Sequence, residues 1–594
     1  MSAAPSFDPD PYERPHDWGP QLAEQLKQHL DNERPNLKQE WTFPSPFITY
    51  AAHVPGSRGD PCWGPQSRTL AELRMYGLSW AIRSKVEWQR KMADPLIMDK
   101  WRKEALEQQD SLPVEQQLTP NMVNYVLTEL AAYARLSDPD SGIESGPFDA
   151  IWYSDRLVSN ETAGLLRAAA AELEDVPDDL KDWHPGSNGQ VLDLVHPYLY
   201  CIVYDRTHSS EGSGSTLLQP PVYDILEEYD YDLEDNSEHY AAHAVSNRFC
   251  WLPSDFSVDT TDGSVKLVSP YINNLHPMTH KPLYRLIESD LYRDVTPGSG
   301  RIMVERSVGT WAGYNWKLAG ITVPCTWSKK KVEYKRGMSE EEYTKCLQDA
   351  PKALPEAYEE YTGELEKTIV PYSLRGKTIQ CIIKLANIHL TVENPEYKGG
   401  SMLNEHIVTS GIYYYEEYNI SESWLAFRVN TSPPVYHDQD DEICMEILYG
   451  MERYTQHRSW LDSYKRRSCP RVAQHLPASR RAFHLVDPTK PGHRKILAIF
   501  LVDPSIEPIP SATNIPPQQT DWAFAALEEA RSDPASAFSR LPPELSNVIL
   551  NRFPDTFMDR KEAEAYRLRL MEERTTFDEA HDMELSNTFN MCEH

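Results

Sequence analysis

The residue best placed to do chemistry in these 594 residues is an arginine at the mouth of an apolar strand. In DPTKPGHRKILAIFLVDP (487–504), a turn punctuated by Pro and Gly delivers Arg494 to Ile496–Val502, a run that is apolar at every position. Such a run reads as a strand covered on both faces. Burying a guanidinium beside it costs on the order of several kcal/mol unless an anion meets it. The fork of Arg494 suits a carboxylate bidentately. Two readings stay open: a structural ion-pair partner, the commoner outcome, or an anchor for an acid ligand.

Other groupings carry less. HYAAH sets His239 and His243 on one helical face, but it lacks the glutamate of a zinc-protease base and marks no third ligand, so a surface helix is expected. PGSGR (297–301) matches neither a P-loop nor a dinucleotide fingerprint and reads as a turn. HSSEG at His208 reads as flexible loop without a triad, and Tyr413, Tyr414, Tyr415 and Tyr418 as one strand with a core and a surface face. A barrel oxygenase binding Fe(II) needs two histidines and a carboxylate, the first pair two apart on a strand so that both point the same way. The strand-rich half contains no His-x-Asp or His-x-Glu. Glu405 and His406 are adjacent, and His437 and Asp440 are three apart.

The elements expected to hold these residues begin with helices. Asp94-Pro95, Thr119-Pro120 and Ser159-Asn160 each read as a cap followed by a helix start, and apolar stripes follow, as at Met122, Val123, Val126, Leu127 and Leu130. From about residue 182 strands take over: a turn and two strands in DWHPGSNGQVLDLVHPYLYCIVYDR, then a pair joined by Asp-Gly turn chemistry in SNRFCWLPSDFSVDTTDGSVKLVSPYINNL. An insert at 329–367 reads as helical and exposed, and strands resume to 504. The predicted class is α+β, a jelly-roll (double-stranded β-helix) core with a helical N-terminal lobe and a helical C-terminal tail. The boundaries are a loosely ordered arm at 1–65, the lobe at 66–180, the jelly-roll region at 181–510 and the tail at 511–594.

Length alone predicts more than one core. An apolar content of 40% with 15 Trp and 32 Tyr is ample for them. A net charge of −31 argues against nucleic acid as a partner, because phosphates would be repelled. The nine cysteines are scattered singly, so neither a zinc ribbon nor a disulfide framework is indicated. No signal peptide and no membrane span is legible, so a cytoplasmic or nuclear protein is expected.

Several long phrases resemble a large fungal family catalogued as domain of unknown function 4246. They are KDWHPGSNGQVLDLVHPYLYCIVYDR (181–206), WLPSDF (251–256), SPYINNLHPMTHKPLYRLIE (269–288), NIHLTVENPEYKGGS (387–401), NEHIVTSGIYYYEEYNISES (404–423), the Arg494 phrase and AEAYRLRLMEERTTF near the C-terminus. The resemblance spans roughly 65–578. It implies a 2-oxoglutarate/Fe(II)-oxygenase-like double-stranded β-helix, with Arg494 as the anchor for the 2-oxoglutarate carboxylate. In relatives a Trp-His-Val-Glu-Gly segment supplies the first two iron ligands. Here Ser401 runs directly into Met402, and both ligands are absent. The distal ligand implied is His475, with His484 as runner-up.

The stretch 453–481 is strongly basic within an acidic protein. It reads either as a loop insertion or, the favoured reading, as a misread exon that also accounts for the lost pair. The function expected is therefore an oxygenase-like fold whose cofactors in the family are Fe(II) and 2-oxoglutarate, inactive as this polypeptide stands, with an unidentified small-molecule or protein substrate. The alternative is a non-enzymatic interaction scaffold that binds through 339–367 and 453–481.

Overall fold

The computed structural model describes residues 69–584 apart from 113–116, 148–150, 222–244, 296–300, 306–336, 346–355, 391–404, 429–447, 450–459, 466–477, 481–483, 549–556 and some shorter stretches. Helices α1 (Leu70–Arg83), α2 (Pro95–Glu107) and α3 (Pro120–Leu136) form the first lobe. Each begins as its sequence dictates. Thr69 and Glu72 form a capping box, the Asp94 carboxylate accepts from Leu96 N at 2.9 Å, and the Thr119 hydroxyl accepts from Met122 N at 3.2 Å. The stripe from Met122 to Leu130 is buried against Met75, Ile82 and Trp101.

The insert expected to be exposed is not wholly so. Ala357 is buried in this lobe, Tyr361 and Leu365 pack against it, and Tyr361 N donates to Thr128 Oγ1 at 3.0 Å. Apolar side chains at 357, 361 and 365 find a ready surface on α3, and burying them outweighs the solvation of the flanking charges.

Helix α4 (Asn160–Glu174) opens at Ser159, whose hydroxyl accepts from Thr162 N at 3.1 Å. The main sheet follows: β1 (Val191–Val195), β2 (Ser254–Val258), β3 (Val265–Leu267), β4 (Thr378–Leu390), β5 (Ile407–Tyr418) and a final strand at Gly492–Val502. Between β5 and that strand lie β6 (Trp424–Arg428), β7 (Trp460–Lys465) and β8 (Ala478–Arg480), which pair in the order β7–β6–β8, so the last strand is β9. The basic stretch thus contributes strands at 460–465 and 478–480 rather than loop alone.

All pairings in the main sheet are antiparallel, in the order β5–β9–β4–β2–β3, with β1 beside β2 on the same edge of β4. The last strand therefore lies between β4 and β5. Alternation divides β9 cleanly. Leu497, Ile499 and Leu501 face α4 and α5 (Lys281–Val295), packing with Leu166, Ala170, Leu283 and Ile287. Ile496 packs with Ala386, Ile388 and Tyr414 on the opposite face, and Val502 with Tyr198, Trp251 and Ile382.

HSSEG is not loop. His208–Glu211 pairs with Gly214–Leu217 as a hairpin, and Leu218 N and Ser210 N donate to Thr207 O and Asn514 O, which ties it to its surroundings. The expected pair β2–β3 forms around Asp259–Ser264, with Gly263 at φ +77°. The tail holds α6 (Thr520–Ser532) and α7 (Arg560–Glu584). It is no appendage: Ala563 and Leu570 of α7 are buried with Tyr198, Phe249 and Trp251. No helix among the described residues is long and apolar enough to cross a membrane.

Candidate functional site

Arg494 sits where the turn enters β9. Gly492, two residues earlier, is packed so closely that a Cβ would come within 2.6 Å of Asn419 O and 2.7 Å of Leu485 Cδ2. The Asn419 side chain accepts from Asp487 N at 2.8 Å and donates to the carbonyls of Asp487 and Lys490 at 2.9 and 2.8 Å, which ties the turn to the end of β5. Arg494 shares the face of Ile496, away from α4 and α5, and is 4% exposed. Its guanidinium lies over the Tyr414 ring, 5.1 Å from the centroid, and its Nε stands 2.8 Å from Glu417 Oε1. Glu417 is directly opposite in register, and its side chain is 35% exposed. The buried cation thus has the carboxylate that burial demands.

The neighbouring charges point the other way. Lys495 Nζ meets Glu174 of α4 at 3.0 Å, and His493 Nε2 meets Glu416 at 2.7 Å. Burial pushes the Glu416 carboxyl up, but His493 and Lys495 outweigh it and leave it below its ordinary value. Burial also lowers His389, on the same face as His493.

A second cluster lies on the Arg494 face. Residues 182–184 run back along 191–193: Trp183 bridges Leu192, Asp193 N donates to Asp182 O at 2.9 Å, and His184 N donates to Val191 O at 2.8 Å. The turn between them needs φ of +77° at Gly186, +52° at Asn188 and +71° at Gly189. It sets His184 Nδ1 at 2.7 Å from Asp193 Oδ2. His196, just beyond β1, turns its Nε2 toward Asp193 Oδ1 at 3.8 Å. Asp193 and His196 are 0% and 1% exposed by side chain, and His184 10%. Burial, aided by the charges of Lys384, His184, Arg567 and Arg574, holds His196 well below its usual range, so the ring is neutral. In register, Asp193 stands opposite Ala386, itself opposite Ile496, while Arg494 is one side-chain row further along β9. The two Cα atoms are thus on the order of 12 Å apart.

Helix α7 supplies the charges behind this cluster. Arg567 Nη1 meets Asp182 Oδ1 at 2.7 Å, and Arg560 Nη2 meets it at 3.3 Å. Burial pushes the Asp182 carboxyl up against these two cations. Arg574, buried over the Trp251 ring at 4.1 Å, pairs with the buried Glu405, which also accepts from Trp251 N at 3.2 Å. Burial raises Glu405 above its ordinary value despite the guanidinium. Burial pulls Arg574 down, and Glu405, with smaller help from Tyr198, more than offsets it. Desolvation alone lowers His406 to about 4.

Of the residues singled out in the sequence, Arg494 reaches a buried face of the sheet. His475, His437 and Asp440, the pair His239/His243 and the junction Ser401–Met402 lie outside the described residues. His484 is exposed and holds Ser421 through its backbone, its N donating to Ser421 Oγ at 3.0 Å. The set His184, Asp193 and His196 was missed. His184 and Asp193, nine apart, follow neither a strand nor a helix spacing, because a turn brings the first to the second, and the Gly-Ser-Asn-Gly turn before the strand was the one hint of that return.

A search of curated proteins gives no match. Among solved structures, a selenomethionine-labelled Fe(II)/(alpha)ketoglutarate-dependent dioxygenase, TqaL, aligns at 9% identity over 61% of this chain and 96% of that chain, with a TM-score of 0.18, too low to carry an argument about fold. Two family models match: residues 12–104 fit the domain of unknown function DUF4246, N-terminal, and residues 120–526 fit the protein of unknown function DUF4246. The second match alone covers more than half of the sequence, and the chain belongs to the DUF4246 family.

Proposed function

We propose that this chain has the jelly-roll architecture of the Fe(II)/2-oxoglutarate oxygenases, keeps their oxoacid anchor in Arg494, and does not oxidise a substrate. The architecture is supported by strand order. A last strand inserted between two earlier ones, β9 between β4 and β5, is the crossover that Greek-key and jelly-roll chains make. The single observation that carries the ligand reading is Arg494 itself, a buried guanidinium on the sheet face turned away from α4 and α5. A planar fork at that position suits the distal carboxylate of a small dicarboxylate such as 2-oxoglutarate.

An iron centre of the expected kind does not fit the chain. Ser401 is followed by Met402 with no His-x-Glu pair between them, and one distal histidine, His475 or His484, cannot hold Fe(II) by itself. No catalytic step therefore follows. A second reading has its own support: the 2.8 Å pair with Glu417 already meets the charge of Arg494, as a purely structural arginine requires.

Two measurements on the full chain separate these outcomes. With Fe(II) and 2-oxoglutarate added, no succinate is expected; steady release would overturn the inactivity. In thermal unfolding, 2-oxoglutarate should raise the midpoint of the wild type and leave Arg494→Met unmoved. If it leaves both unmoved, the anchor reading fails and Arg494 is the structural partner of Glu417.

A further inference from the structure

We propose that His184, Asp193 and His196 form a binding site for a divalent first-row transition-metal ion. The donor atoms, two imidazole nitrogens and a carboxylate oxygen, are those that zinc, manganese, cobalt and iron accept. All three lie within 4.8 Å of one another. The 3.8 Å between His196 Nε2 and Asp193 Oδ1 is too long for a hydrogen bond. It exceeds by a few tenths of an ångström the roughly 3.3–3.6 Å between two ligand atoms that share a tetrahedral ion at about 2.0–2.2 Å from each, a difference that a small side-chain movement closes.

Two features make the gap informative. Among the described residues, both atoms that border it are buried without a hydrogen-bond partner, on side chains that are 0% and 1% exposed. A carboxylate so placed leaves one oxygen desolvated for nothing unless something positive or hydrogen-bearing fills the space. The surrounding acids are already engaged, Asp182 with Arg567 and Arg560 and Glu405 with Arg574, whereas among the described residues the Asp193 carboxylate pairs with the two histidines alone. The 182–193 hairpin fixes two of the donors before any ligand arrives, and His184 at 10% exposure is the side from which an ion enters.

Two contacts oppose binding. The 2.7 Å hydrogen bond between His184 Nδ1 and Asp193 Oδ2 must be given up where that nitrogen turns to the ion. Tyr198 N reaches His196 Nδ1 at 3.3 Å, and an imidazole bound to metal through Nε2 carries its hydrogen on Nδ1, so this weak bond must open. A water bridging Asp193 Oδ1 and His196 Nε2 is the competing occupant. The site uses neither Arg494 nor an oxoacid, so its titration is read apart from the 2-oxoglutarate shift above; iron held here would bear on the inactivity proposed there, which the succinate assay decides separately.

The test is a calorimetric titration of chelator-treated, full-length protein with Zn(II), repeated with Co(II) read by visible absorption. The wild type should take up one equivalent per chain, with cobalt bands of nitrogen and oxygen coordination. His184→Gln and Asp193→Asn should each lose that equivalent while keeping the wild-type circular dichroism. If Asp193→Asn does not fold, His184→Gln at the rim decides. Absence of uptake by the wild type means a bridging water only, and uptake that survives His184→Gln places the ion elsewhere; either result overturns the site.

Discussion

At the scale of single residues, the costliest feature is charge taken out of water. Arg574 and Glu405 are 3% and 1% exposed by side chain, and each is tolerable only because the other is there. Replacing the guanidinium by an apolar chain of similar length strands the carboxylate. Arg574→Met is therefore expected to cost about 3–5 kcal/mol. Urea unfolding checks this, and adding Glu405→Gln to the same chain should recover a large part of the loss. The comparison with Arg494 is instructive. There the partner acid, Glu417, is one-third exposed, so loss of the arginine leaves a carboxylate that water can reach, and the penalty is smaller.

At the scale of elements, α7 does what its position at the end of the chain does not suggest. One side of it closes the core around Trp251, and the same side sends Arg567 and Arg574 toward Asp182 and Glu405. Leu570 is fully buried there. If α7 were a loosely attached tail, Leu570→Ala would cost almost nothing. Packed as it is, the truncation leaves a cavity and should destabilise the whole chain by about 2–5 kcal/mol, read as a lower denaturation midpoint in one cooperative transition.

For the whole molecule, half-buried histidines set the response to acid. Desolvation depresses His406 to about 4 from an ordinary 6.5, and lowers His280 and His389 as well. For such a group the unfolded chain binds the proton first. Its contribution is complete above pH 6.5 and is lost as pH falls toward 4. His406 alone should remove about 2 kcal/mol by roughly pH 5. Asp182, Glu405 and Asp503, raised by burial, have the opposite sign. The quantity to measure is therefore the wild-type loss minus that of His406→Gln in urea unfolding at neutral and acid pH; equal losses would remove His406 from the account.

Local information decided a good deal unaided. The capped starts at Asp94, Thr119 and Ser159 form as their sequences dictate, because a side-chain oxygen two or three residues from an amide needs nothing from the rest of the chain. The apolar run after Arg494 could only be a covered strand, and it is the strand between β4 and β5. Tertiary structure decided what meets what across long separations. Glu405 is paired by a residue 169 positions away, and Asp182 by one 385 positions away. His184 and Asp193 meet through a turn whose closure depends on three residues with positive φ. Periodicity reports the face a residue occupies within its own element. Which distant charge comes to lie against that face depends on how the elements pack, and no spacing in the sequence encodes it.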